Sequence, residues 1–207
     1  MAVITISREE GSNGEQITDL LCDRLGYCRV DKAMLSQIAQ EAGVDVEAVL
    51  EKERSVANKP RLISDQMTSL YGRKPSAFGK SVSIDDQTYA RVVRETMERF
   101  AQEGNAVIVG RGGQIVLRDW PGALHVHLYA PLPVRIERVK ERYGVSELEA
   151  KRRVSGSDER KRWYVRQAHR NANWKDLKHY HLAINTGAIS AETAADVILK
   201  AVQGLEK

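Results

Sequence analysis

The sequence predicts an α/β fold with a mostly parallel central sheet. Segments of strand pattern and helix pattern alternate from one end of the chain to the other. One of the strand segments, Ala106 to Val109, is a continuous apolar run, as expected of a parallel strand buried on both faces. Three polar or glycine-rich turns, at 7–16, 110–113 and 185–187, follow strand segments at the carboxyl ends, where such sheets bind ligands.

The first strand is the β-branched run Val3-Ile4-Thr5-Ile6. Ile17, Leu20, Leu21 and Leu25 then fall on one helical face, and Gly26 is the stop. Tyr27 to Val30 reads as a short second strand ending at Asp31. Residues 32–55 read as helices, with Met34, Leu35, Ile38 and Ala39 on one stripe and Val46, Val49 and Leu50 on another. Residues 56–84 carry Pro60, Gly72, Pro75 and Gly79 and read as mobile loops around a short helix.

From Asp85 a long helix is expected, with Val92, Val93, Thr96, Met97 and Phe100 sharing a face and Gly104-Asn105 ending it. After the 106–109 strand comes Gly110-Arg111-Gly112-Gly113, then a strand over Leu124 to Tyr129. Pro133 sits in the first turn of the next helix, which carries Ile136, Val139 and Tyr143. Ser146 and Glu149 have capping-box spacing and open an arginine-rich helix. His181 to Asn185 is the last strand, and Ser190 caps a last helix with Val197, Ile198, Ala201 and Val202 on one side.

The 207 residues suit one domain with a real core. No apolar run approaches the ~20 residues of a membrane span. The chain opens directly into a strand-like run, which reads as a protein without a secretory leader. Cys22 and Cys28 are expected to be two buried free thiols in a reducing cytoplasm. The net charge of +4 is compatible with any phosphate-bearing partner and does not select nucleic acid over nucleotide. Lys151, Arg152, Arg153, Arg160, Lys161, Arg162, Arg166 and Arg170 crowd one late segment, and a charge run of this kind is usually a solvated helix face.

"SREEGSNGEQI", residues 7–17, follows the first strand and leads into a helix, where a nucleoside-triphosphate enzyme keeps its phosphate loop. Gly11 and Gly14 permit close backbone approach to an anion, and a helix start directs N–H groups and dipole at one point. The lysine of G-x-x-x-x-G-K-S/T is absent. In one alignment Asn13 stands for the last glycine, Gly14 for the lysine and Glu15 for the Ser/Thr; in the other Glu15 stands for the lysine. On this stretch alone, an ordinary strand-to-helix turn and a phosphate site remain equal readings.

Across nearly the whole chain the sequence resembles the cytidylate kinase-like family, a divergent branch of the nucleoside monophosphate kinases in the P-loop NTPase superfamily. The resemblance is carried by "ITISREEGSNGEQI", "YCRVDKAML", "NAVIVGRGGQIVLRDWPGALHVHLYAP", "SGSDERKRWYVRQAH" and "HLAINTGAIS", in that order. It implies a single domain with a parallel-sheet P-loop kinase core over 1–30 and 104–207, a helical monophosphate-binding insertion over 31–103, and a mobile lid over 144–170. It implies transfer of the ATP γ-phosphoryl group, with Mg²⁺, to CMP, dCMP or a related small acceptor.

By the same resemblance Arg8 and Gly11, Ser12, Asn13, Gly14, Glu15 and Gln16 surround the ATP phosphates. Asp31, Arg91 and Arg111 bind the acceptor, and Asp158, Arg160 and Arg162 act from the lid on the transferring phosphoryl group. Gly112 stands where cytidylate kinases carry the Asp of a Gly-Arg-Asp turn. Arg8 and lid arginines are the cations that could offset the lost lysine, because arginine gives bidentate contacts to phosphate.

Blander roles stand beside these. Arg111 is also readable as a structural ion pair, Arg91 as an exposed helix arginine, and Asp31 as a helix cap. His125 and His127 alternate on one strand face without further ligands, which favours packing over a metal. Trp163, Tyr164 and Trp174 either anchor the lid or stack bases. Two rival functions follow: a nucleotide-binding protein that kept the fold and lost turnover, and a nucleic-acid binder using 151–170.

Overall fold

The computed structural model describes residues 2–57 and 84–205. The loops expected over 56–84 therefore lie almost wholly outside the described residues. Five strands form one sheet: β1 (Val3–Arg8), β2 (Cys28–Val30), β3 (Ala106–Val109), β4 (Ala123–Tyr129) and β5 (Leu182–Asn185). All are parallel, in the order β2-β3-β1-β4-β5. The central β1 pairs Val3 with Ala106 on one side and with Ala123 on the other.

Eight helices are described: α1 (Gly14–Leu25), α2 (Lys32–Glu41), α3 (Val46–Ala57), α4 (Ile84–Glu103), α5 (Gly113–Val116), α6 (Leu132–Tyr143), α7 (Glu147–Ala168) and α8 (Ala191–Leu205). Local chemistry sets their ends. Gly26 closes α1 in the left-handed region, with φ 66°. Ser146 caps α7 by accepting from the Glu149 N–H, as the capping-box spacing predicts. Ser190 does the same before α8, accepting from Thr193 N at 3.1 Å.

The sheet is buried on both faces, so its strands read as continuous apolar runs. Ala106 and Ile108 of β3 face Leu35, Val93, Met97 and Tyr164, contributed by α2, α4 and α7. Val107 and Val109 face the other way, toward Ile17 and Leu21 of α1 and Ile198 and Val202 of α8. A smaller cluster of Ile136, Val139, Ala150 and Val154 joins α6 to α7.

Two details depart from the sequence reading. The single-turn α5 follows a glycine run whose turn signals mask it. Cys28 is exposed rather than buried, because it opens the short edge strand; Cys22 is partly buried, and both thiols are free.

His125 and His127 pack inside the fold. The His125 Nδ1 lies 2.8 Å from the Thr5 hydroxyl and its ring stacks on His181, while His127 meets Trp174 and Tyr180. Burial pushes both imidazoles down to about 4, so both are neutral. Among the described residues no helix is long and apolar enough to cross a membrane.

Candidate active site

The sheet order reverses around β1, and at the carboxyl ends of β1 and β3 a cavity of about 670 Å³ opens. Open α/β sheets bind ligands at this switch point, and the volume lies in the range of small-molecule sites. Its walls are the 7–15 loop, the 109–112 turn, Lys32 and Glu53 of the helical insertion, and the inner faces of α6 and α7.

The loop is closed by its own polar groups. Ser12 donates to the Glu9 carbonyl through its N–H at 3.2 Å and its hydroxyl at 2.8 Å. Asn13 takes a left-handed φ of 56° and starts α1 without a side-chain cap. Ile17 N makes the first helical bond, to Asn13 O at 3.0 Å, which leaves the Gly14, Glu15 and Gln16 N–H groups without a backbone acceptor. Uncapped N–H groups at a helix start, with the helix dipole behind them, form an anion cradle. Here they border the cavity at Asn13, Gly14 and Glu15.

Arg8 explains the missing lysine. Its side chain runs from β1 across Gly14, so that a β-carbon at position 14 would stand 2.6 Å from both Cβ and Cγ of Arg8. The guanidinium reaches Gly110 and pairs with Glu15 at 3.4 Å. Arg29 also binds Glu15, as well as Asp19 at 2.5 Å and Asp31 at 3.2 Å. Burial alone raises the Glu15 carboxyl, but Arg8 and Arg29 outweigh it and hold it below the usual value.

Beneath the loop, Arg135 is almost fully buried and joins three elements. It donates to Glu10 O at 2.7 Å, pairs with Glu9 at 3.2 Å, and grips both oxygens of Asp158 at 3.1 and 2.8 Å. Lys175 completes the network on Glu9 and Asp158. The Asp158 carboxyl is raised by burial and lowered further than that by Arg135, so it stays ionised. Asp158, expected to act from the lid on the transferring phosphoryl group, does not line the cavity; its carboxylate fastens α7 to the loop through Arg135 and Lys175.

On α7, Ser157, Arg160, Lys161 and Tyr164 face the cavity. They fall at i, i+3, i+4 and i+7, one helical face. Arg162 lies on the opposite face, half-exposed, and pairs with Glu159 at 3.0 Å. The structure therefore brings Arg160 to the site and not Arg162. Lys151 and Arg153 are likewise paired along the helix, with Glu147 and Glu149. Three of the outward cations of 151–170, Lys151, Arg153 and Arg162, are thus paired along the helix, while Arg152, Arg166 and Arg170 are exposed to solvent.

The opposite wall centres on Arg111. Its side chain is 6% exposed, pairs with the buried Glu53, and lies 4.1 Å from the Tyr164 ring centroid and 5.4 Å from that of Tyr89. Its Nε and Nη2 have no hydrogen-bond partner. Lys32 also pairs with Glu53, at 2.8 Å. Burial, and then Arg111, lower the Lys32 ammonium from its usual value. One buried carboxylate thus serves two cations.

Arg91 and Asp31 are not on this wall. Arg91 is 67% exposed beside Glu95 and borders a separate cavity of about 260 Å³ with Arg94 and Trp163. The Asp31 carboxylate accepts from Ala33 N at 3.0 Å and Met34 N at 3.2 Å, which makes it the cap of α2. Ser12 is buried in its turn, and Gln16 reaches Glu192 at 3.3 Å. Neither lines the cavity, although the Gln16 N–H belongs to the cradle.

Lys32, Glu53, Lys161 and Arg135 were missed by the sequence reading. The signal for Lys161 was present: it shares a helical face with Ser157 and Tyr164, whereas Arg162 does not.

Fold and cavity together define a P-loop kinase core. The shikimate kinase of Bacteroides thetaiotaomicron has this fold, at a TM-score of 0.50 and 11% identity over 98% of each chain. An uncharacterized protein from Eubacterium ventriosum matches at a TM-score of 0.67 and 22% identity, over 98% of this chain and 99% of that one. The chain belongs to the cytidylate kinase-like family, whose profile matches residues 3–188. Cytidylate kinase from Pyrococcus horikoshii is 31% identical over 146 residues, 70% of this chain and 73% of that protein. The uronate isomerase of Corynebacterium glutamicum is 32% identical over 126 residues, 60% of this chain but 23% of that protein.

Proposed function

We propose that the protein transfers the γ-phosphoryl group of ATP to a nucleoside monophosphate, with CMP or dCMP as the first acceptors to test. The observation that carries this reading is the polarity of the cavity. Uncapped N–H groups line the cavity at the loop, where Arg8 lies close enough to Lys161 to act on it, and Lys32 and Arg111 line it beside β3 and α2, with Arg160 within electrostatic reach of Lys32. Two phosphate-binding ends facing each other suit a donor and an acceptor. Phosphoryl transfer needs positioning and charge neutralisation more than covalent chemistry from the protein.

The donor end fits triphosphate. The Asn13–Gln16 backbone would hold it, with Arg8 and Arg160 alongside. Mg²⁺, which binds through phosphates, water and one or two carboxylates, would supply charge neutralisation for the transferring phosphoryl group. Glu10, whose carboxylate accepts from the Ser157 hydroxyl at 3.3 Å, and Glu141 line the cavity outside the ion pairs described above and would be available to it. At the acceptor end Lys32 and Arg111, both held by Glu53, would meet the acceptor. An acceptor oxygen then bonds to the γ-phosphorus as the bond to the β,γ-bridging oxygen breaks, and ADP leaves.

The test is ADP release coupled to a spectroscopic readout, with Mg-ATP and a panel of nucleoside monophosphates. Turnover that depends on one acceptor is the expected result. Tight ATP binding without turnover on any acceptor would replace this reading with a nucleotide-binding role.

A further inference from the structure

We propose that Lys161, reaching in from α7, is the catalytic cation that takes over the task of the lysine missing from the loop and binds the β- and γ-phosphates of the donor. This rests on the phosphotransferase reading above and adds to it a residue that no motif in the loop contains.

Position 14, which takes the place of the lysine in one of the two alignments, has no room for a side chain, because Arg8 lies over it; in the other alignment the place falls to Glu15, a carboxylate. Arg8 does not fill the role alone, since its guanidinium is already shared with Glu15. Lys161 is the cavity-lining lysine on the donor side. Its Nζ donates to the Ser157 hydroxyl at 2.6 Å, and that hydroxyl donates to Glu10 of the loop at 3.3 Å. The ammonium is thereby held against the loop by a two-link chain.

Its bonding is incomplete. An ammonium carries three donors, and the Ser157 oxygen is its one side-chain acceptor among the described residues. No carboxylate lies within ion-pair distance of it among the described residues. The nearby Lys175 has two, Glu9 and Asp158, and Arg162 has one, Glu159. Charge held in a largely enclosed place without a counter-ion is unfavourable until an anion arrives. Burial, and then the neighbouring Arg8, push the Lys161 ammonium down to about 8, as expected of a cation waiting for its anion. A merely structural lysine, laid across Trp174 at 5.8 Å, would leave phosphate binding untouched.

The experiment uses inorganic tripolyphosphate and adenosine as separate probes in titration calorimetry. Lys161→Met is compared with the wild type and with Lys178→Met, which removes the same charge from an exposed position. The expected result is a 10- to 100-fold loss of tripolyphosphate affinity, on the order of one charged hydrogen bond, with adenosine binding unchanged. Lys178→Met should stay within about twofold. Equal tripolyphosphate affinity in Lys161→Met and wild type overturns the inference while leaving the kinase reading intact. Failure of the wild type to bind tripolyphosphate or Mg-ATP at all overturns both. If Lys161→Met does not fold, reductive methylation of the wild type read by mass spectrometry decides. Tripolyphosphate should protect Lys161 from modification, and its absence of protection overturns the assignment.

Discussion

Arg8 and Gly14 occupy one another's space: the aliphatic stem of the arginine fills the volume that any side chain at position 14 would need. The loop has therefore not simply lost a lysine. In the alignment that sets Gly14 against the lysine, a lysine there and Arg8 in its present place would be mutually exclusive. Gly14→Lys alone should destabilise the protein by about 1–3 kcal/mol through overpacking. Arg8→Gly combined with Gly14→Lys should recover most of that loss. Urea denaturation of the two single variants and the double variant checks this, and additive losses would contradict it.

The Glu53–Arg111 pair gives a second prediction. Glu53 is the buried anion facing both Arg111 and Lys32. Glu53→Gln leaves a buried guanidinium without a counter-charge and should cost roughly 3–5 kcal/mol. Arg111→Met keeps the Glu53–Lys32 pair and should cost less. The order of the denaturation midpoints is the measurement, and a reversed order would show that Arg111 is not held by Glu53.

Gly112 departs from the family turn for a reason visible in the packing. It has φ 74°, and a β-carbon there would overlap the His169 Nε2 and stand 2.6 Å from Cδ2. His169 itself lies 3.2 Å from Arg111 O through that nitrogen. Restoring the family aspartate by Gly112→Asp should destabilise by about 1–3 kcal/mol, combining backbone strain with the clash. His169→Ala in the same chain should relieve the clash but not the strain. A thermal melt in which Gly112→Asp is neutral would remove this explanation.

The fourth prediction concerns pH. The Lys161 ammonium, at about 8, lies below its usual 10.5, and it faces Arg8, Arg135, Glu10 and Asp158. Between these two values the unfolded chain binds more protons than the folded one at this site, so Lys161 makes stability rise with pH. Below about pH 8 both states are protonated and the penalty is constant. The wild type should therefore gain stability relative to Lys161→Met from pH 8 to 10.5, and parallel curves would contradict the shift. Tripolyphosphate affinity should fall over the same rise, and Lys161→Arg should lack that fall because its guanidinium does not titrate there.

Much of the fold was legible because its signals are local. The Ala106 to Val109 run, the Ser146 cap and the Gly26 stop each act within a few residues, and each falls where the sequence places it. The site was legible only in part, because its logic is one of phase and distance. A charge run names its residues without saying which face of a 22-residue helix meets the loop, so Arg162 was chosen and Lys161 passed over. Asp158 looked catalytic because the partner that binds it, Arg135, lies 23 residues away on another helix. Arg111 was found because a glycine turn at the end of a buried strand marks its own place. Its partner Glu53 was not, since nothing near Glu53 in sequence reports 58 residues of separation.

The Arg135 hub has a further consequence, for the entropy of binding. One guanidinium holds the loop backbone at Glu10, the loop carboxylate of Glu9 and the helix carboxylate of Asp158. The loop and α7 are thus riveted into a single body, and the ordering entropy of that wall is lost during folding rather than on each encounter with a ligand. The facing wall is tied in the same manner, since Glu53 of α3 joins Arg111 after β3 to Lys32 of α2. A molecule entering the cavity would thus meet two walls whose ion pairs are already made.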